Sequence, residues 1–370
     1  MENTITFNPE TIPENRMLDK KPTRNASFEL LRIICMLLII STHFLGHGGW
    51  KSNMTGANEV FGKLLQSIFY PSVNLYVMIG AYFMCQSTST HVNWEKVLKL
   101  CGMVLFYSLL IYTISISFDN YYFDTTGLLT SIFPAMSGKY WYFTAYLVLL
   151  VLSPFLNMII RGLSTKQLFV GCVLIVIVGG IQAETSHMLP QLLLSGGYSA
   201  PWFVGLYFIT ALIKRTDFKF NKTSGIIAII LYLGTIVYGY FVHTKYASFM
   251  CVLSSVIIFV FFKELKIKDG WFQKIVCFVA PLTFGVYLIH DSPEFRGFMY
   301  QNIFHSYKFY DNDVAFLILV GFILTTFVVC ATFECGRKYL AKGLAIPCKK
   351  VIDNLKQRRK PKTDSAENQN

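Results

Sequence analysis

Four ionisable residues, Glu29, Arg32, His43 and His47, fall in the run SFELLRIICMLLIISTHFLGHGGW, which is otherwise almost wholly apolar. In a spanning helix such groups are expensive, on the order of 2.5–3.5 kcal/mol for an arginine at its centre, and they usually mark a function. Eleven positions separate Arg32 from His43. At about 100° and about 1.5 Å per residue the two differ by roughly 20° around a helix axis and lie roughly 16 Å apart along it. Glu29 sits one turn before Arg32 and His47 one turn after His43, so the four form a polar seam on one helix face. That seam must look into protein or a water-filled cavity. A neutral imidazole is suited to take a hydroxyl proton near neutral pH, and a guanidinium binds phosphate or steadies a developing oxyanion. Plainer readings stand beside these: a snorkelling arginine, a hydrogen-bonded core histidine, and an interfacial His47. Spacing by itself names no reaction.

The seam needs a membrane around it. Of 370 residues 54% are hydrophobic and 15% charged, where a soluble domain carries about 25% charge. The net charge of +12 in a soluble chain would suggest nucleic acid, but here there is too little polar surface to cover the chain in water. A disordered chain, a disulfide-stapled secreted domain and a nucleic-acid binder are therefore excluded. A spanning helix takes roughly 17–25 apolar residues. Ten stretches qualify: Leu30–Leu45, Leu64–Cys85, Leu100–Phe118, Tyr140–Ile160, Gln167–Ala183, Tyr198–Ile213, Thr223–Val242, Tyr246–Phe262, Ile275–Ile289 and Val314–Phe333. The expected fold is all-α, a polytopic membrane protein with about ten transmembrane helices and both termini cytoplasmic. With that orientation 27 Lys and Arg fall inside and six outside, for net charges of +14 and −2, as the positive-inside rule requires. Residues 1–27 read as a polar cytoplasmic segment, 28–336 as the membrane domain, and 337–370 as a basic, largely disordered cytoplasmic tail near anionic headgroups. None of the nine cysteines lies in an outer loop, so no disulfide framework is expected. The Cys and His spacings suggest no metal site.

The segment Arg24 to His43 resembles the first-helix signature of the acyltransferase-3 family of integral membrane acyltransferases, a basic residue followed after ten positions by histidine, which Arg32 and His43 match. PSVNLYVMIGAYFM (Pro71 to Met84) resembles the family's second helix, with Asn74 where many members have Asp. KYWYFTAYLVLLVLSPFLN (Lys139 to Asn157) is similar to its aromatic helix, and TFGVYLIHD (Thr283 to Asp291) to its late Tyr-Leu-x-His helix. The four pieces occur in the family's order across most of the spans. Where the family often has Arg-x-x-Arg at the foot of span three, this chain has Lys96-Val-Leu-Lys99, which keeps the charge without the bidentate fork.

The resemblance implies transfer of an acyl group, most often acetyl, from cytoplasmic acyl-CoA to a hydroxyl of a cell-surface or lipid-linked polysaccharide, by a multi-pass protein of a bacterial plasma membrane. Acetyl-CoA would be a co-substrate, with no bound cofactor. His43 would be the base and Arg32 a donor or oxyanion group, with Lys96 and Lys99 at the donor phosphates beside Lys214 and Arg215. Glu29, Asn74, Trp141, Tyr142, Tyr287, His290 and Asp291 would support the site or the acceptor. Trp50, Tyr121, Tyr122, Tyr140 and Tyr198 also cluster at expected outer ends, where they would stack on sugar rings or form the usual interfacial belt. The rival class is a transporter or flippase of a lipid-linked sugar, in which the seam binds without chemistry. Against it, the two halves show no matching pair of Gly/Pro-broken helices. Partners beyond donor, acceptor and lipid are not legible, nor is an oligomeric state.

Overall fold

A computed structural model describes residues 24–117, 123–185, 192–242 and 245–358, the last fifteen of these by backbone only. Among the described residues there is no strand. The helices are α1 (Ala26–Gly46), α2 (Trp50–Asn53), α3 (Gly56–Phe69), α4 (Pro71–Met84), α5 (Trp94–Ser115), α6 (Thr125–Ile132), α7 (Trp141–Gly162) and α8 (Thr165–Glu184). They continue with α9 (Ala200–Arg215), α10 (Lys222–Phe241), α11 (Phe249–Glu264), α12 (Trp271–Val279), α13 (Thr283–His290), α14 (Pro293–Phe298) and α15 (Ala315–Arg358). Several starts carry side chains that satisfy free first-turn amides. Asn25 accepts from Ser27 and Phe28 at 3.0 and 3.3 Å, and Asn93 accepts from Lys96 at 2.9 Å. Ser164 with Gln167, and Asn221 with Ser224, close capping boxes.

Among the described residues eight segments are long and apolar enough to cross a bilayer. One is α3 and α4 read through, 29 residues with Pro71 at the junction, and another is α12 and α13 joined across a 3-10 turn at Ala280–Leu282. The other two expected spans are α9 and α11, 16 residues each. At about 1.5 Å per residue each reaches about 24 Å, short of the hydrocarbon core of about 30 Å. The chain is thus an all-α polytopic membrane protein. Its outer faces are apolar where a soluble protein's are polar: Ile229, Ile230 and Leu233 on α10, and Leu317, Val328 and Phe333 on α15, are all more than half exposed.

Helix α1 is the centre, packed against α3, α4, α11, α12, α13 and α15, while α10 is peripheral on α3 and α11. The two ends of the bundle gather the segments that the charge pattern separates. At one end Arg24 donates to the Cys277 carbonyl and Ser27 to that of Leu265. Lys338 bonds Pro281 there, and Asn157 and Arg161 bond the chain end after α4 at Met84 and Ser87. At the other end Thr55 donates to Asp311 and Asn58 to the carbonyls of Tyr310 and Asn312.

One expectation is corrected. The tail from 337, expected to be largely disordered, continues α15 as helix to Arg358. Arg337 and Lys338 stand three and four residues after Glu334 and pair with it, a spacing that extends a helix rather than ending it. Residues 359–370, and 1–23 of the expected N-terminal segment, lie outside the described residues.

Glu334 is fully buried and takes hydrogen bonds from Tyr107 Oη at 2.7 Å and from Arg337 Nε and Nη2 at 2.7 Å each. It is packed against Gly285, where a Cβ would meet its Cγ at 2.6 Å and its Oε2 at 2.7 Å. So many bonds leave the carboxylate no room to yield. Gly285→Ala is expected to destabilise by about 1–3 kcal/mol, the usual range for overpacking, and thermal unfolding of the detergent-purified protein measures it.

Candidate active site

The seam on α1 meets α13 and the loop after it. His43 Nδ1 lies 3.0 Å from His290 Nε2, and His290 Nδ1 lies 2.6 Å from the Val286 carbonyl oxygen. A carbonyl only accepts, so His290 Nδ1 carries the proton and donates. His290 Nε2 is then a bare acceptor and His43 Nδ1–H donates to it. The one lone pair left over is on His43 Nε2. The ordering of two tautomers thus follows from one backbone carbonyl.

Beside the pair, Asp291 Oδ1 lies 3.5 Å from His43 Nδ1 and 3.5 Å from Arg296 Nη1. Arg296 Nη1 is in turn 3.4 Å from His47 Nε2. Burial and the Arg296 guanidinium push the His47 imidazole below the usual histidine range, with Asp291 opposing them. His43, His47 and Asp291 offer ligand atoms within 4.8 Å of one another, a grouping that the spacings did not suggest. A guanidinium already stands against two of those atoms, so a metal ion here would meet a fixed positive charge.

His43 opens onto a small cavity of about 20 Å³, lined also by Tyr76, Trp141, Tyr142, Tyr246 and Tyr287. Trp141 stacks on Tyr246 with centroids 5.9 Å apart and lies 4.8 Å from Tyr198, which is 43% exposed. Tyr76 Oη bonds Thr283 Oγ1 at 2.5 Å. The hydroxyls of Tyr142 and Tyr287 are buried with no hydrogen-bond partner among the described residues.

The expected residues divide. His43, His290, Asp291, Trp141, Tyr142 and Tyr287 converge. Glu29 pairs with Arg32 at 3.2 Å, and Arg32 stands within electrostatic reach of Tyr76, Tyr142, Tyr146 and Lys96, eleven residues before His43 on α1. Asn74 is set back from the cavity. It donates to the Tyr246 carbonyl at 2.8 Å and accepts from Trp202 Nε1 at 3.2 Å, and so fixes the residue on which Trp141 stacks. Lys99 is exposed and bound to Glu95 at 2.5 Å, apart from Arg32. Lys214 bonds the Tyr82 carbonyl, and Arg215 those of Leu163 and Ile160, so both finish helices. Trp50 and Tyr140 are wholly buried rather than interfacial, and Tyr121 and Tyr122 lie outside the described residues.

Sequence reasoning missed Arg296, Tyr76, Tyr246 and the pair Lys139–Glu294. Lys139 Nζ lies 2.7 Å from Glu294 Oε1 with side chains 3% and 5% exposed, and 2.9 Å from Ser131 Oγ. Burial pushes the lysine below its usual range, and the glutamate's hydrogen bond and charge oppose it. Next to it, Tyr140 Oη donates to the Leu288 carbonyl at 3.0 Å. Together they strap the start of α7 to the segment that carries His290. No periodicity announces such a pair, because Lys139 sits in the loop before α7 and Glu294 in the first turn of the short α14.

A protein-family model described as an acyltransferase domain matches residues 25–335. No curated protein and no solved structure matches the chain.

Removing Glu294 strands a buried ammonium. Glu294→Ala is expected to cost about 3–5 kcal/mol, as for a broken buried pair, and Glu294→Ala combined with Lys139→Met considerably less. Thermal unfolding of the three proteins in one detergent makes the comparison.

Proposed function

The chain belongs to the acyltransferase-3 family and is a membrane acyltransferase, and we propose that it moves an acetyl group from acetyl-CoA to a hydroxyl of a cell-surface or lipid-linked polysaccharide. The observation that carries the reading is the proton chain Val286–His290–His43, which leaves a single lone pair, on His43 Nε2, at a residue that lines a small aromatic cavity.

In the proposed reaction His43 Nε2 takes the proton of the acceptor hydroxyl as its oxygen attacks the thioester carbonyl carbon. The imidazolium keeps Nδ1–H on His290, with the Asp291 carboxylate 3.5 Å away to balance its charge. The tetrahedral intermediate then collapses, the carbon–sulfur bond breaks, and the departing thiolate takes the proton from His43 Nε2, which restores the neutral base. Oxygen–carbon replaces sulfur–carbon, and the products are an ester and a free thiol. Three features support the particulars. The cavity is small, about 20 Å³, about the room of one water, and gives no space for a long acyl chain. Arg32 and Lys96 stand within electrostatic reach of each other, a pair of cations of the kind that binds phosphates. On the other side, Trp141 and Tyr198 present ring faces of the kind on which sugars stack.

A base of this kind typically contributes 10²–10⁴-fold. Cells carrying His43→Ala are expected to lose the O-acetyl methyl signals in proton NMR of their surface polysaccharide. His290→Phe, which removes the acceptor of the His43 proton, is expected to lose at least ten-fold in turnover. Acetyl signals that persist in a gene deletion, while glycan export collapses, would replace transfer by transport. In membranes, Lys96→Ala is expected to raise the KM for acetyl-CoA several-fold and Lys99→Ala to leave it near wild type, because only Lys96 stands by Arg32.

A further inference from the structure

Two buried phenol hydroxyls at one cavity lack partners, and this is unusual. A buried polar atom without a hydrogen bond costs on the order of 1–3 kcal/mol, and native folds rarely retain one without a use. Tyr142 is 7% exposed and Tyr287 5%. Both line the cavity onto which His43 opens, and their ring centroids are 5.8 Å apart. Neither hydroxyl is paired among the described residues.

Their setting is electropositive. Tyr142 is the second residue of α7, a helix whose start has no side-chain cap. The backbone amides of Tyr142 and Phe143 lie within electrostatic reach of the Tyr287 hydroxyl without meeting hydrogen-bond geometry with it. A helix N-terminus gathers about half a positive elementary charge in its free amides. Arg32 adds its positive charge within electrostatic reach of Tyr142. The start of α7 and Arg32 therefore favour a negative oxygen between the two hydroxyls, and the Asp291 charge opposes them. A hydroxyl whose hydrogen has no acceptor in the resting protein is free to give it to that oxygen.

We infer that Tyr142 and Tyr287 are the oxyanion donors of the transfer: their hydroxyls hydrogen-bond the thioester carbonyl oxygen as it becomes the alkoxide of the tetrahedral intermediate. This rests on the reading of His43 as base. The proton count is unchanged, since each tyrosine keeps its proton and only lends it. Donors fixed in advance in a dry site are worth most where charge develops. The same feature explains why the hydroxyls stay unpaired: a resting partner would have to be broken at every turnover.

The test uses the full-length protein in lipid nanodiscs, with acetyl-CoA as donor, purified surface polysaccharide as acceptor, and thiol release as readout. Tyr142→Phe and Tyr287→Phe remove one oxygen each and keep the rings. Each is expected to lower kcat by about 10²–10³-fold, the usual effect of losing one oxyanion donor. The KM for acetyl-CoA should hold, and the thermal midpoint should hold or rise, because no resting hydrogen bond is lost. Tyr240→Phe, on peripheral α10, serves as the control. A fall in thermal midpoint that accompanies the loss of turnover would make the hydroxyls structural and overturn the inference. Wild-type kcat in both variants, with turnover still lost in His43→Ala, would overturn it and leave acyl transfer standing. Turnover kept in His43→Ala as well, or no thiol release by the wild type, would overturn the underlying reading too.

Discussion

The proton on His290 Nδ1 has one destination, the Val286 carbonyl one turn earlier on α13, and the chemistry of the bundle is ordered by that commitment. It turns the other nitrogen of the ring into an acceptor, draws the Nδ1 proton of His43 onto it, and leaves His43 Nε2 bare. In water such a chain would exchange partners freely. Inside the bundle the alternatives are orphaned polar atoms, each costing a few kcal/mol, so the tautomers are held by the price of every other arrangement.

Holding two histidines at 3.0 Å in an apolar interior requires two separate elements to be fixed against each other. Helix α1 is fixed by its central place in the bundle. Helix α13 is half of a broken span, and a half-helix has little apolar area of its own with which to stay put. It is secured at both ends by charge and backbone bonds. At its start Gly285 lets the buried Glu334 come close, bound by Tyr107 and Arg337. At its end Tyr140 takes hold of the Leu288 carbonyl, and Lys139 is buried against Glu294. Polar contacts, which add little at a wet surface, act here as fasteners, because losing one partner leaves a charge stranded in a low-dielectric interior.

The same economy explains what surrounds the histidines. Several buried polar groups near the site are engaged: Asn74 through both ends of its amide and Tyr76 through Thr283. Against that background the unpaired hydroxyls of Tyr142 and Tyr287 stand out as capacity kept in reserve at the uncapped start of α7. The seam on α1 is divided into a basic end, where Arg32 pairs with Glu29, and a histidine end, where His43 meets His290.

Much of this was legible in the residues alone. Hydropathy gave the helical class and the position of each span, because a bilayer imposes a length. Helical period placed Arg32 and His43 on one face, because 3.6 residues per turn is a property of the backbone. The short α9 and α11 and the continuation of α15 to Arg358 were less legible, since helix ends depend on local pairing that hydropathy ignores. Period names a face but never its partner. That His290, 247 positions away, would bond to His43, that Asn74 would turn from the cavity, and that Lys139 would be buried on Glu294 were decided by packing. Packing minimises stranded polar groups over the whole bundle at once, and no single segment carries that information.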